Sequence, residues 1–249
     1  MATGQLDKGL YRRHTAWLKA KRHGVGRLEI KDELLRRMKA ASLDLSHSHL
    51  EKCDLFKSDF NNAHLISAEL KDCDFSYGNL HMCWLAKSFI EKCRFEGATL
   101  TLVRMDGSVS AHCNYNLANM RRVSLVDARF DHCTFEDSDL EDSKITRSMF
   151  VDCSFTGADF MRVVPLSQLG KIKESTFIRC DFRGADFEGV RIEDTKFHNC
   201  EFKNAKGRPE LEAEVKVVWS NASEDWSKAN VLEGLQLIQD WESGALYKR

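Results

Sequence analysis

The chain has few of the residues and motifs that mark several common protein classes. Two prolines and fourteen glycines in 249 residues exclude a collagen-like or low-complexity chain. No apolar run is long enough for a signal peptide or a membrane span, so we expect a cytoplasmic protein with no membrane partner. The sequence has no CxxC pair, glycine-rich phosphate loop, HExxH motif or Ser/His/Asp order. We therefore expect no metal, no cofactor and no enzymatic activity.

The dominant feature of the sequence is a five-residue period. Every fifth residue from Leu45 to Phe160 gives 24 positions, and all except Ser110 and Tyr115 are Leu, Phe, Ile or Met. Two residues before each of these centres lies Cys, Ser, Ala, Gly or Val, with Leu43 as the exception. Neither a helix nor a strand has this period. A fixed period over more than a hundred residues indicates a solenoid.

The segments CDLFKSDFNNAHLISAELKDCDF, RFDHCTFEDSDLEDS and CDFRGADFEGV resemble pentapeptide-repeat proteins, whose consensus is roughly A(D/N)Lxx. The resemblance covers about residues 43–206. It implies an all-β solenoid, a right-handed quadrilateral β-helix with twenty residues per coil. It also implies that each centre and the small residue two before it point inward, and that the other three positions face solvent.

Residues twenty apart should share one of four walls, and each wall has its own inward chemistry. The cysteine wall has Cys at its small positions: Cys53, Cys73, Cys93, Cys113, Cys133 and Cys153. The aliphatic wall has only aliphatic centres: Leu45, Leu65, Leu85, Met105, Leu125 and Ile145. The serine wall has Ser or Ala at every small position: Ser48, Ala68, Ser88, Ser108, Ala128 and Ser148. The mixed wall holds Ser58, Gly78, Ala98, Ala118, Ser138 and Ala158.

The five-residue period breaks between Phe160 and Phe177. All four walls realign if the break supplies one aliphatic face plus seven extra residues, which gives about eight coils in residues 41–206. The residues that then rejoin their walls are Cys180 and Cys200, Phe182 and Phe202, Ala185, Val190 and Ile192, and Ser175 and Thr195. We expect a protruding loop near residues 163–173. Candidate partner contacts in it are Pro165, Lys171 and Lys173.

The N-terminal segment, residues 1–40, carries 11 basic and 4 acidic groups. Residues 5–22 are expected to form an amphipathic helix, with Leu6, Leu10 and Trp17 among its apolar residues. Its HTAWL run resembles the leaders of bacterial pentapeptide-repeat proteins. The helix either caps the open end of the solenoid or uses its cations to bind nucleic acid or an acidic protein. Residues 32–40 fit a short helix or a degenerate first coil.

The C-terminal segment, residues 207–249, should contain a strand and an amphipathic helix. Residues 215–219 alternate like an edge strand, and the spacing of Val231, Leu235, Ile238 and Trp241 predicts a helix from Ser227. One side of that helix would be buried, either on the last coil or in a homodimer. The chain is accordingly expected to be a monomer or a homodimer through this helix.

Outward acidic residues are the main binding candidates on the coil. Asp139, Asp159 and Asp186 fall in one column, with Glu141 and Glu188 beside it. Such a column has the sign and the regular spacing needed to mimic DNA phosphates. The same position favours Asp or Asn throughout the repeats, so these acids also have a structural interpretation.

Outward histidines are the other candidates on the coil. Seven of the nine lie at outward positions of the repeats, and His112 and His132 stack one coil apart. We interpret this pair as a surface feature, because we identify no third metal ligand near it.

The resemblance makes a non-catalytic protein-interaction protein the leading hypothesis. Its sharpest form is binding to DNA gyrase or topoisomerase IV, with resistance to quinolones or to a gyrase-directed natural product. No direct binding of nucleic acid is expected in that case. The alternative is a structural, adaptor or effector-type repeat module with no gyrase role, in which the basic residues 1–40 contact the partner.

Overall fold

The computed structural model describes residues 6–22, 26–162, 170–212, 216–219 and 230–233. One helix, α1, spans Lys8–Lys19. The strands are β1 Glu29–Lys31, β2 His49–Glu51, β3 Glu69–Lys71, β4 Phe89–Glu91, β5 Val109–Ala111, β6 Ser124–Val126, β7 Arg129–Asp131, β8 Lys144–Thr146, β9 Met149–Val151, β10 Lys171–Lys173, β11 Thr176–Ile178, β12 Arg191–Glu193, β13 Lys196–His198, β14 Glu210–Glu212, β15 Lys216–Trp219 and β16 Asn230–Glu233.

The strands stack into a β-solenoid, as the period predicts. The serine wall is an 11-stranded sheet in the order β1-β2-β3-β4-β5-β7-β9-β11-β13-β15-β16, parallel except for β16. The C-terminal half of the aliphatic wall is a 5-stranded sheet in the order β14-β12-β10-β8-β6. The other two walls are joined by single parallel bridges such as Asp54↔Asp74 and Asp139↔Asp159. Residues twenty apart therefore pair, which confirms the assignment of the four walls.

The solenoid begins earlier than predicted. Strand β1 pairs with β2, so the first coil starts at Glu29 and not near residue 41. Residues 32–40 belong to that coil, because Leu34 bridges Asp54 and Lys39 bridges Asp59. Of the two alternatives for this segment, the degenerate first coil is confirmed and the short helix is wrong. The structure thus has about nine turns where the sequence predicted about eight.

One coil, which contains the break between Phe160 and Phe177, is irregular. It has the seven extra residues that the wall alignment predicts. Ile145 pairs with Ile172, and Phe150 with Phe177, at a separation of 27 residues. Strand β10 already lies in the aliphatic wall, so the prediction of a loop through residue 173 is wrong at its C-terminal end. The rest of that predicted loop, residues 163–169, lies outside the described residues.

At nearly every described corner of the solenoid, the residue two positions after the inward centre lies in the left-handed region. Lys57, Asn62 and Ser67 have φ of 57°, 54° and 55°. Residues with a Cβ disfavour this conformation. Glycine occupies some corners, and at Gly97 an added Cβ would lie 2.7 Å from the Tyr77 ring. The turn geometry is therefore imposed by the stacking of the coils rather than by local preference.

The core consists of stacked columns of like side chains. All nine cysteines are buried and free, which confirms the inward positions predicted for the cysteine wall. Burial raises the pKa of Cys83 to about 12. Centres on the cysteine wall form a ladder of parallel rings, with Phe95–Tyr115 and Tyr115–Phe135 centroids 4.9 Å apart. The ladder crosses the irregular coil, where Phe155 and Phe182 stack at 5.0 Å.

Ser110 and Tyr115, the two centres that are not Leu, Phe, Ile or Met, form a hydrogen bond with each other. Ser110 and Tyr115 are both fully buried, and Ser110 Oγ lies 2.9 Å from Tyr115 Oη. A buried hydroxyl needs a hydrogen-bond partner. Serine at one centre therefore compensates for the hydroxyl group that tyrosine introduces at the next.

The N-terminal helix caps the solenoid. Leu6, Leu10 and Tyr11 pack against the core. His14 is fully buried, and its Nδ1 accepts a hydrogen bond from the Leu28 N–H at 3.1 Å. Burial lowers the pKa of His14, so the ring is neutral at pH 7. Of the two interpretations of this helix, the structure supports the cap. Within the described residues, no helix is long and apolar enough to cross a bilayer.

The C-terminal segment differs from its prediction. Strand β15 confirms the predicted strand and pairs with β13. The helix predicted from Ser227 is wrong at Asn230–Glu233, which forms strand β16, antiparallel to β15. The apolar spacing of this segment is helical, but pairing with β15 makes it a strand, because strand formation depends on the neighbouring strand as well as on the local sequence. Leu235, Ile238 and Trp241 lie outside the described residues.

Truncation of an inward ring tests the packing of the core. Phe135→Ala should lower the free energy of unfolding by about 3–5 kcal/mol, because the cavity interrupts the ring ladder. The outward control Glu136→Gln should change it by less than about 0.5 kcal/mol. Thermal or urea unfolding provides the measurement, and equal effects at the two positions would contradict the inward and outward assignment.

The Ser110–Tyr115 pair can be tested with a double-mutant cycle. Ser110→Ala leaves the Tyr115 hydroxyl buried without its partner and should cost about 1–3 kcal/mol. Adding Tyr115→Phe removes the orphaned hydroxyl, so the double variant should be more stable than Ser110→Ala alone. Urea unfolding of all four proteins measures the coupling, and strictly additive changes would show that the hydroxyls do not interact.

Candidate binding walls

Acidic residues before the centres have a structural role on the coil. The side-chain oxygen accepts a hydrogen bond from the backbone N–H two residues later, as in Asp159 with Met161 at 2.8 Å and Asp186 with Glu188 at 3.0 Å. Asn119 does the same with Arg121. Such side-chain-to-backbone bonds stabilise turns. The preference for Asp or Asn is therefore explained in part by the fold itself.

The predicted acidic column exists, but its members differ in their neighbours. Asp139, Asp159 and Asp186 pair on consecutive coils of the mixed wall. Asp139 lies 3.5 Å from Arg121, and Asp186 lies 3.6 Å from Lys206. Within the described residues, Asp159 has no such ion pair. Partial burial, and then the charges of Asp186 and Asp139, raise the pKa of Asp159 against the hydrogen bond from Met161.

One acidic candidate is not available to a partner. Glu141 is only 4% exposed, and its carboxylate pairs with Arg121. Burial raises the pKa of Glu141 despite that guanidinium. The prediction that Glu141 points into solvent is therefore wrong. Glu188 is exposed, and its carboxylate accepts a hydrogen bond from the Arg208 N–H.

The predicted loop candidates do not form a projecting site in the described structure. Lys171 and Lys173 lie in β10, and both ammonium groups pair with Glu193. Their assignment to a loop is wrong, because the aliphatic wall resumes at Lys171. Pro165 lies outside the described residues.

A group of ionisable side chains surrounds the stacked histidines. The rings of His112 and His132 are 5.0 Å apart, as the twenty-residue spacing predicts. His132 also contacts Asp131 at 2.7 Å and Asp152 at 3.8 Å, so ligand-type neighbours exist that the sequence reasoning missed. Arg179 donates to both carboxylate oxygens of Asp152. The arrangement is therefore an exposed ion-pair network.

The aliphatic wall carries a shallow depression of about 550 Å³, which sequence analysis did not single out. We call it the aliphatic-wall groove and define it by Leu102, Arg104, Arg122, Ser124 and Lys144, five of its lining residues. Reading the outward residues of this wall at twenty-residue intervals would have found it.

Comparison with known proteins agrees with this architecture. The family description "Pentapeptide repeats" matches in 8 copies over residues 42–76, 53–91, 111–142, 124–162 and 172–206, more than half of the chain. The chain belongs to the pentapeptide-repeat family. No curated protein matches it significantly.

Two solved pentapeptide-repeat structures share the fold. HetL, involved in the regulation of heterocyst differentiation in the cyanobacterium Nostoc sp. strain PCC 7120, is 17% identical, with a TM-score of 0.69 over 83% of this chain and 94% of that one. A trypsin-treated variant of QnrB1, a plasmid-mediated fluoroquinolone resistance protein, is 12% identical, with a TM-score of 0.51 over 75% of this chain and 91% of that one. At these identities the likeness concerns the fold alone.

The charge of Asp159 should cost stability at neutral pH. Its pKa is raised in the folded state, so the penalty is complete above that pKa and disappears as the pH falls through it. Asp159→Asn keeps the acceptor for Met161 and should raise the free energy of unfolding by roughly 0.2–1 kcal/mol at pH 7. At a pH below the pKa of an ordinary aspartate, the two proteins should be equally stable.

The matched control for this variant is Asp74→Asn. Asp74 makes the same turn with Ser76, but it also pairs with Arg94 at 2.9 Å. Its replacement should lower stability at pH 7. Urea unfolding across pH measures both variants, and a loss of stability in Asp159→Asn at pH 7 would contradict the repulsion between stacked acids.

Proposed function

We propose that this pentapeptide-repeat protein is a non-catalytic protein-interaction module that contacts a partner through its outer walls. The observation that carries the proposal is the filled interior. Every inward centre from Leu45 to Phe160 is buried, so an enclosed substrate site of the usual kind has no room between the walls. The nine unpaired thiols support a reducing compartment, and we place the protein in the cytoplasm.

The finer candidate is an interaction with DNA gyrase or topoisomerase IV that protects the enzyme from an antibiotic. The mixed wall supports it, because Asp139, Asp159 and Asp186 repeat at the strand spacing of about 4.8 Å. Asp159 is the member of the column whose charge is not offset by an ion pair within the described residues. An acidic column of this kind would compete with DNA phosphates for a basic surface.

A supercoiling assay with purified gyrase, with and without a quinolone, tests this candidate. The wild-type protein should restore supercoiling in the presence of the drug. The triple variant Asp139→Asn, Asp159→Asn, Asp186→Asn should need at least about tenfold more protein, because DNA-like binding depends on charge. Absence of both protection and inhibition by the wild-type protein would contradict the gyrase assignment.

The control for the triple variant places the same changes on another wall. Asp54→Asn, Asp74→Asn, Asp181→Asn removes three carboxylates that make the same turn hydrogen bonds on the cysteine wall. This protein should protect gyrase as well as the wild type. Equal loss in both triple variants would indicate that net charge matters, and not the mixed wall.

A further inference from the structure

Two cations on the aliphatic wall have no acidic partner. The exposed residues Arg104 and Lys144 lie two coils apart, on either side of Ser124. Within the described part of the chain, neither has a carboxylate within 4.0 Å, whereas neighbouring Arg122 faces Asp142 at 3.6 Å. Two coils correspond to about 10 Å. The groove also contains Asp106, whose carboxylate accepts hydrogen bonds from the Ser124 hydroxyl and the Val126 N–H. Among the described residues it forms no ion pair with Arg104 or Lys144, so the groove presents two positive charges without ion-pair partners at a fixed separation.

Exposed apolar side chains adjoin these cations. Met82 and Leu102 occupy the same corner on consecutive coils and are 45% and 43% exposed. Trp84 is 36% exposed, and the Arg104 guanidinium carbon lies 4.8 Å from the centre of its ring. Single exposed apolar residues are common on protein surfaces. A cluster of Trp, Met, Leu and Arg has the composition that protein–protein interfaces favour.

Other cations of this wall already have carboxylate partners. Lys171 and Lys173 pair with Glu193, and Arg191 lies 3.4 Å from Glu210. Single-stranded nucleic acid needs a continuous track of cations along its backbone. The wall offers only a short pair of charges beside an apolar cluster, so a carboxylate-bearing peptide suits it better than a polyphosphate.

We propose that the aliphatic-wall groove binds an acidic segment of a partner protein. Two carboxylates two residues apart in an extended peptide are about 7 Å apart, and the long side chains of Arg104 and Lys144 can converge on them. An apolar side chain of the same segment then packs against Leu102, Met82 and Trp84. This inference rests on the proposed interaction role and assigns it a wall and a ligand chemistry.

Fluorescence anisotropy with labelled short peptides tests the groove. The probes are a Glu/Leu peptide with Glu, Glu and Leu at every second position and Ser between them, so that all three side chains share one face, its counterpart with Lys in place of Glu, and a single-stranded DNA of similar length. The full-length protein should bind only the Glu/Leu peptide, more weakly as salt is raised. Arg104→Glu, Lys144→Glu should weaken that binding by about tenfold or more.

The matched control is Lys52→Glu, Lys92→Glu. It makes the same change in net charge at two exposed lysines that are also two coils apart, at corners beside the serine wall. The control should bind the Glu/Leu peptide like the wild type. Binding should also shift the tryptophan emission of the wild type but not that of Trp84→Phe. Thermal unfolding confirms that each variant is folded.

Several results would overturn the inference. The first is that the Glu/Leu peptide does not bind below roughly 1 mM. The second is that both charge-reversal variants bind the peptide equally weakly. The third is that the wild type binds DNA and the groove variant alone does not. If the wild type and the groove variant protect gyrase equally while the peptide does not bind, this groove assignment fails and the interaction role stands. If gyrase is unaffected but the peptide binds as expected, the groove stands without gyrase.

Discussion

The whole structure depends on parallel stacking of the coils through the backbone. The N–H of each coil donates to a carbonyl of the next, as in Phe95 with Asn114 and Leu65 with Trp84, at 2.7 and 2.8 Å. This ladder requires that equivalent residues lie at the strand spacing on every wall. It places the described corners, with few exceptions, in the left-handed region, and it brings inward side chains into contact with their equivalents above and below. The coil of 27 residues is tolerated because its extra residues leave all four walls aligned.

Stacking also explains why each wall has its own composition. A ring packs well on another ring, so an aromatic column extends itself from Phe75 to Phe202. A polar atom in such a column must find its partner within the core, and Ser110 provides one for Tyr115. Buried thiols are confined in the same way, with Cys73 Sγ directed at the Leu50 carbonyl oxygen. In this core each inward side chain packs against like side chains of the neighbouring coils, rather than against a unique set of differently shaped neighbours.

The same constraint limits where binding can occur. The Asp or Asn before a centre is partly used by its turn, and many outward charges pair across coils, as Arg147 does with Asp127. The two proposals therefore rest on charged side chains without an ion-pair partner within the described structure. Asp159 is one on the mixed wall, and Arg104 and Lys144 are two on the aliphatic wall.

The sequence by itself determined the solenoid, the four walls, the inward cysteines, the column of Asp139, Asp159 and Asp186, and the seven extra residues of the irregular coil. It could do so because a five-residue period maps each position directly onto a place in the fold. Only the tertiary structure decided that residues 32–40 form a coil and not a short helix, and showed that Glu141 is buried, that Lys171 lies in a wall and that Asn230–Glu233 is a strand. It alone showed which charges are paired. Ile30, Leu35 and Ala40 continue the five-residue register into the first coil, whereas the burial of Glu141 and the pairing of charges depend on outward side chains that follow no period.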